Sequence, residues 1–268
     1  LTKFLSARLY WSMTGITVIV ASFIIGMFAG SFFYTLALRF ARGEIREKTL
    51  RALFSRSRCP SCNRTINPLH LVPVIGFFLL KGRCGKCGSS ISFWYPVSEI
   101  TYGALAALFA SRLGVSAYSI DIFLLAGTAV CISIVDLKTL SIPNSLVITI
   151  AALSAYPIFL NGDIADNLYG FAALFAVFIV ILLVFPGSFG AGDVKLAAVI
   201  GLVSGLELSI VILEIALVTG AVSGVLYAVM KKKSLRSKIP FAPFLAVGLI
   251  VSFLYGREIL LFYYRLIY

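Results

Sequence analysis

The sequence predicts an all-α polytopic membrane protein, with about eight transmembrane helices and a small cytoplasmic four-cysteine loop domain of zinc-binding type. Three observations carry this expectation. Hydrophobic residues make up 60% of the 268 and charged residues only 13%, with a mean hydropathy of +1.01. A soluble domain has about 45–50% apolar and about 25% charged residues. The apolar residues also fall in runs close to the roughly 20 needed to cross the hydrocarbon core as a helix. Finally, a basic segment with two Cys-x-x-Cys pairs separates the first run from the rest.

The first run, 15–38, follows Lys3 and Arg8. It is too long for a signal-peptide core of about 7–15 residues, so it reads as a retained span within a first segment, 1–39. A cytoplasmic metal-binding domain, 40–95, follows. The remainder, 96–268, forms a membrane domain with spans at 97–113, 118–135, 142–160, 167–186, 192–206, 208–230 and 241–256. The span at 192–206 is short and follows a glycine loop, which marks it as a broken or partial crossing. The aromatic stretch 257–268, with Arg257, Glu258 and Arg265, suits a membrane interface. No internal repeat stands out.

Charge sets the orientation. The formal charge of +12 reflects 23 Lys+Arg against 11 Asp+Glu. No nucleic-acid motif accompanies it, so the excess reads as basic cytoplasmic loops and nucleic acid is set aside. Arg42, Arg46, Lys48, Arg51, Arg56, Arg58, Arg64, Lys81, Arg83 and Lys86 lie in 40–95, opposed by Glu44 and Glu47. Lys231, Lys232, Lys233, Arg236 and Lys238 form a second cluster without acids. With both clusters inside, alternation over eight spans places Asp163 and Asp166 outside. It places Asp136 and Asp193 together on the cytoplasmic side. Lys3 and Arg8 run against this assignment.

Cys59-Pro-Ser-Cys62 and Cys84-Gly-Lys-Cys87 are separated by 21 residues, 63–83. The common four-cysteine zinc spacing is about 15–20. Each pair puts two thiolates on one turn, and two pairs complete a tetrahedral sulfur site with no open position, hence structural. Metal is favoured over disulfides or free thiols in a cytosolic loop. Such a metal would hold a segment too short to build its own core. The apolar insert 68–80 is too short to cross and suits the membrane surface. His70 is superfluous as a ligand beside four thiols, and Cys131 reads as packing.

Asp136 and Asp193 stand at the ends of apolar runs, where an ionisable group is costly and functional by default. Glycines at 190 and 192 remove side chains around Asp193 and allow close approach. Two carboxylates sharing a proton can hold a water between them. One removes the water's proton while the other protonates a peptide carbonyl. Taken singly, each acid reads more readily as a helix cap. Taken as a same-side pair, they point to catalysis.

Several blocks resemble one known family. Gly30-Ser31-Phe32 through Arg39 is similar to its first-span signature. The cysteine loop through Gly82-Arg83-Cys84, with Ile91-Ser92, Tyr95-Pro96 and Glu99, is similar to its cytoplasmic loop. Asp136 with Ile142-Pro143, and Gly190-Ala191-Gly192-Asp193-Val194-Lys195-Leu196, resemble its two aspartate blocks. Ile239 to Gly248 resembles its last-span block. The family is that of the bacterial prepilin peptidases of type IV pilus and type II secretion systems. Tyr34 stands where that family commonly has Asn, and Asn144 where it commonly has Asp.

The resemblance implies an aspartic endopeptidase of the bacterial inner membrane, multi-pass, with its active site facing the cytoplasm. Asp136 and Asp193 would be catalytic, and Cys59, Cys62, Cys84 and Cys87 would hold structural Zn2+. The substrates implied are prepilins or pseudopilins, cut after glycine between a basic leader and an apolar helix, with the lipid bilayer as the other partner. Methylation of the new amino terminus from S-adenosylmethionine is also implied. Glu99 reads equally as a group orienting substrate or methyl donor and as a helix-dipole acid. Lys195 is expected to snorkel or to steady Asp193. The alternative is a transporter or channel with a zinc-bound regulatory loop. It would carry acids at mid-membrane depth and an internal repeat.

Overall fold

The computed structural model describes residues 2–45, 56–184, 190–231 and 240–267. Part of the expected basic loop (Arg46, Glu47, Lys48 and Arg51), Lys232 to Lys238 and Ile239 lie outside them. Among the described residues the chain is built from helices, with isolated bridges only. It divides into two compact units, 1–119 and 120–268. The long helices are α1 (Thr2–Ala41), α3 (Trp94–Leu113), α4 (Ala117–Thr139), α7 (Ile164–Val184), α8 (Ala191–Lys231) and α9 (Ala242–Ile267); α3, expected as a span at 97–113, is not among those apolar enough to cross a membrane. Between α4 and α7 come α5 (Asn144–Leu153) and α6 (Ala155–Asn161), parted at Ser154. The loop after α1 holds a 3-10 turn (Pro68–Leu71) and the short α2 (Ile75–Leu79).

Five helices are long and apolar enough to cross a membrane, and a shorter apolar helical stretch covers 144–160. The chain is a polytopic membrane protein. The expected span at 142–160 is thus two short helices in series. The expected spans at 192–206 and 208–230 fall within α8, which has one non-helical residue, Gly205, at φ 72 and ψ 178.

In the first unit, α1 and α3 touch through small residues. A Cβ at Gly30 would lie 2.9 Å from Glu99 Cα, and one at Gly103 would meet Phe23 and Met27. Small side chains let helix backbones close up where lipid offers no hydrophobic drive. Phe33 stacks on Tyr102 with centroids 5.2 Å apart, and Tyr34 meets Tyr95 edge-on at 4.8 Å.

In the second unit, α7 runs antiparallel to the first arm of α8. Gly170 and Gly201 cross backbone to backbone, leaving no room for a Cβ on either. Asn167 Nδ2 donates to Leu202 O at 2.8 Å. The second arm of α8 runs antiparallel to α9, with Gly256 against Leu208, Gly248 against Ile212 and Gly220 against Phe241. Phe241 also meets Phe178 of α7, with centroids 5.6 Å apart. These contacts bring residue 220 back to the end where α8 began, so α8 is a hairpin folded at Gly205. Asp166 of α7 accepts the Leu206 N–H at 3.0 Å and caps the returning arm. Its carboxylate occupies the place a Gly205 Cβ would need. This reversal separates the two segments expected as spans at 192–206 and 208–230. In the tail of α9, Tyr264 and Tyr263 donate to Glu207 and Glu214 at 2.9 and 2.6 Å.

Candidate functional site

The hairpin and the packing of α9 bring Asp136 and Asp193 together. Asp136 lies in the last turn of α4, whose end is marked by Leu140 N–H donating to Asp136 O at 2.8 Å. The residue is only 5% exposed. Its Oδ2 accepts the Ala242 N–H at 3.2 Å, and the Phe241 N–H also donates to the carboxylate. Asp136 therefore caps α9, a helix 106 residues away in sequence, rather than the local start at Asn144.

Asp193 is the third residue of α8. Its Oδ2 accepts the Gly190 N–H at 2.9 Å, while its own N–H donates to Gly190 O at 3.0 Å. This is the reach-back of an acid in a first turn toward the cap residue. The cap reading of the two acids thus holds, and it does not exhaust them. Asp193 Oδ1 is buried and accepts no hydrogen bond among the described residues. The two carboxylates are close enough for the charge of Asp136 to act on Asp193. A buried and a half-buried acid with an unused oxygen can hold one proton and one water between them.

The glycines beside Asp193 have a steric cause. A Cβ at Gly192 would lie 3.0 Å from Ile142 Cβ, so the Ile142-Pro143 turn packs directly on the loop backbone. Lys195 does not steady Asp193. Its Nζ donates to Asn144 Oδ1 at 3.2 Å and ties α8 to the start of α5.

In the first unit the four cysteines Cys59, Cys62, Cys84 and Cys87 converge, with all sulfurs within 4.8 Å of one another. Cys59 and Cys87 sulfurs stand 3.8 Å apart, far beyond the ~2.05 Å of a disulfide. Sulfurs at about 2.3 Å from a tetrahedral zinc would be about 3.8 Å apart. The cluster can hold a metal ion.

Two equal knuckles build it. Cys59 N–H donates to Arg64 O at 3.0 Å and Asn63 N–H to Cys59 O at 2.8 Å. Cys84 N–H donates to Ser89 O and Gly88 N–H to Cys84 O, both at 2.8 Å. Bridges Arg58–Thr65 and Arg83–Ser90 close them. A short repeat is therefore present at a scale of eight residues, Arg-Cys-x-x-Cys followed by Asn or Gly, one residue, and Thr or Ser.

The Cys62 N–H and the Ser89 hydroxyl lower the Cys59 thiol to about 6, and the Ser89 hydroxyl also lowers Cys87. Cys62 is pushed up to about 11, the pull of the Arg64 N–H being outweighed by burial and by the Cys59 and Cys87 thiols. Hydrogen-bonded thiolates are the form that metal needs. His70 is not part of the cluster, and Cys131 is fully buried in α4.

Glu99, 6% exposed, accepts the Val74 N–H at 2.7 Å and a hydrogen bond from Ser31. Val74 has φ 62, a conformation costly for a β-branched residue. Glu99 thus pins the loop between the knuckles to the α1–α3 pair. No local sequence signal announces that contact, because its partner is a backbone group 25 residues away.

Two family models match: the bacterial peptidase A24 N-terminal domain over residues 24–113, and the type IV leader peptidase family over 123–229. A prepilin leader peptidase/N-methyltransferase of Bacillus subtilis (strain 168) is 32% identical over 246 residues, covering 91% of this chain and 97% of the relative. The chain belongs to the type IV leader peptidase family. Two further leader peptidases of the same name agree. That of Stutzerimonas stutzeri is 31% identical over 76% of this chain and 73% of its own. That of Pseudomonas aeruginosa is 26% identical over 81% and 77%. No solved structure matches. In this leader peptidase chain the second matched segment contains both Asp136 and Asp193, and the first contains all four cysteines of the cluster.

Proposed function

We propose that the chain is an aspartic endopeptidase that removes the basic leader from prepilins or pseudopilins after glycine, with Asp136 and Asp193 as its catalytic residues. The observation that carries this reading is their convergence from positions 57 apart in sequence, Asp136 buried and Asp193 half-buried, with the charge of Asp136 acting on Asp193. Each acid spends one oxygen on a helix-start N–H, which locks its position before substrate arrives. One carboxylate takes a proton from water as that water attacks the scissile carbonyl. The other, protonated, donates to the carbonyl oxygen; the first, now carrying the water's proton, passes it to the leaving amine as the C–N bond breaks, and the second takes a proton back from the collapsing diol. Like charges brought together do not both ionise easily, so one proton shared by the pair would supply what the reaction needs.

Cys59, Cys62, Cys84 and Cys87 hold zinc in this reading. Four thiolates leave no open coordination position, so the ion organises the segment 40–95 and takes no part in hydrolysis. Residues 96–268 then form the peptidase domain. The relatives' shared name supports a second activity, methylation of the new amino terminus from S-adenosylmethionine. The basic loop, with the acids on the same side by alternation, supports a bacterial inner-membrane enzyme working at the cytoplasmic face.

Leader removal from a co-expressed prepilin tests the reading. Asp136→Asn and Asp193→Asn should each leave the precursor uncut. Normal cutting by either variant overturns it. Mass spectrometry of the mature product should find one added methyl on the first residue, and an unmodified amine removes the methyl-transfer activity from the proposal.

A further inference from the structure

α5, α7 and the first arm of α8 enclose a groove of about 430 Å3, lined by residues that include Asn144, Val147, Phe171, Phe175, Lys195 and Ala198. Small-molecule sites occupy about 300–1,000 Å3. Phe171 and Phe175 stack 6.0 Å apart with planes 7° apart, giving the groove a flat aromatic wall. Polar character is confined to one end, where Lys195 Nζ meets Asn144 Oδ1.

That end carries an uncompensated charge. An ammonium has three donors, and the neutral amide of Asn144 takes one. Among the described residues no carboxylate lies within ion-pair distance of Lys195, the ion pair there being Arg42 with Glu44. A carboxylate at 144 would cancel the charge in place, and asparagine does not. The groove therefore presents one cation at the head of an apolar slot.

The slot is not the cleft of the two acids. At about 100° per residue, Lys195 lies about 200° round α8 from Asp193, so a peptide seated there would have to cross the helix to be cut. Its walls open outward instead. Ile148 on its rim is 66% exposed, and α7 is mostly exposed along an apolar length. From charge, shape and direction together we infer that the groove holds an anionic phospholipid, acyl chain against Phe171 and Phe175 and phosphate on Lys195. Lipid packed there would brace α5 and α7 against the arm that carries Asp193.

Native mass spectrometry of the purified full chain, titrated with phosphatidylglycerol or phosphatidylcholine, tests this without reference to peptidase activity. One phosphatidylglycerol should be held about fivefold more tightly than phosphatidylcholine, the effect of one lysine beside an anionic lipid. Lys195→Met removes the charge and Asn144→Asp, nearly isosteric, cancels it; each should erase the preference. Equal affinities in the wild type, or a preference that survives either substitution, overturn the inference. A raised KM for prepilin in both variants with the lipid preference intact also overturns it, and gives the groove to the peptide.

Discussion

Asp136 and Asp193 each hold a helix-start N–H besides the catalytic role proposed for them, so chemistry and architecture can be separated by the choice of substitution. Asparagine keeps an acceptor oxygen and loses the exchangeable proton. Asp136→Asn should lower kcat by about 10²–10⁴-fold, the usual contribution of a positioned acid or base, with little change in thermal unfolding. Asp136→Ala should add the loss of a cap, about 0.5–2 kcal/mol. Equal stability of the Asn and Ala variants would remove the cap of α9 from the account.

The knuckle cysteines allow a second check at this scale. In metal-free protein at pH 7, iodoacetamide should mark Cys87, exposed and lowered, before Cys62, whose thiol is pushed up to about 11. Zinc should protect both, and equal labelling rates without metal would contradict the assignment.

At the scale of elements, the hairpin of α8 depends on Gly205, whose φ of 72 with ψ 178 belongs to a region that side chains enter at a cost of about 1–3 kcal/mol. Gly205→Ala should destabilise by at least that much, because Asp166 already fills the space. Asp166→Ala should cost about 0.5–2 kcal/mol through the lost cap on Leu206. Thermal unfolding in detergent measures both, and a neutral Gly205→Ala would mean that the chain does not reverse there. The sequence marks this break through Glu207, a charge between two apolar runs. It does not reveal the reason, since the cap comes from Asp166, 40 residues earlier. Lys195 is similar: its partner Asn144 is 51 residues away, and local patterning pointed to its neighbour Asp193 instead. The knuckle repeat was present in the letters, but its two copies agree in turn chemistry more than in residue identity.

At the scale of the molecule, apolar run lengths place the helical segments in order, because they follow from the surrounding solvent; they give the count only approximately, since 142–160 is two short helices and five helices are long and apolar enough to cross. The meeting of Asp136 with Ala242 does not follow from any such pattern. Reporter fusions should place residues 140 and 190 on one side of the membrane and 162 on the other; 140 and 190 on opposite sides would dismantle the site. Chelation should unfold the knuckles, because sulfur ligation supplies most of their folding energy. Trypsin should then cut faster at Arg58, Arg64 and Arg83, and unchanged rates would make the metal dispensable.

Asp193 and Gly205 are twelve residues apart, about 18 Å of helix, whereas the hydrocarbon core is about 30 Å thick. An arm that short leaves the acid recessed unless the lipid leaflet dips to meet it, as bilayers do around short segments. Water would reach the scissile bond through that dimple, so proteolysis should slow as acyl chains lengthen and the depression becomes costlier to form.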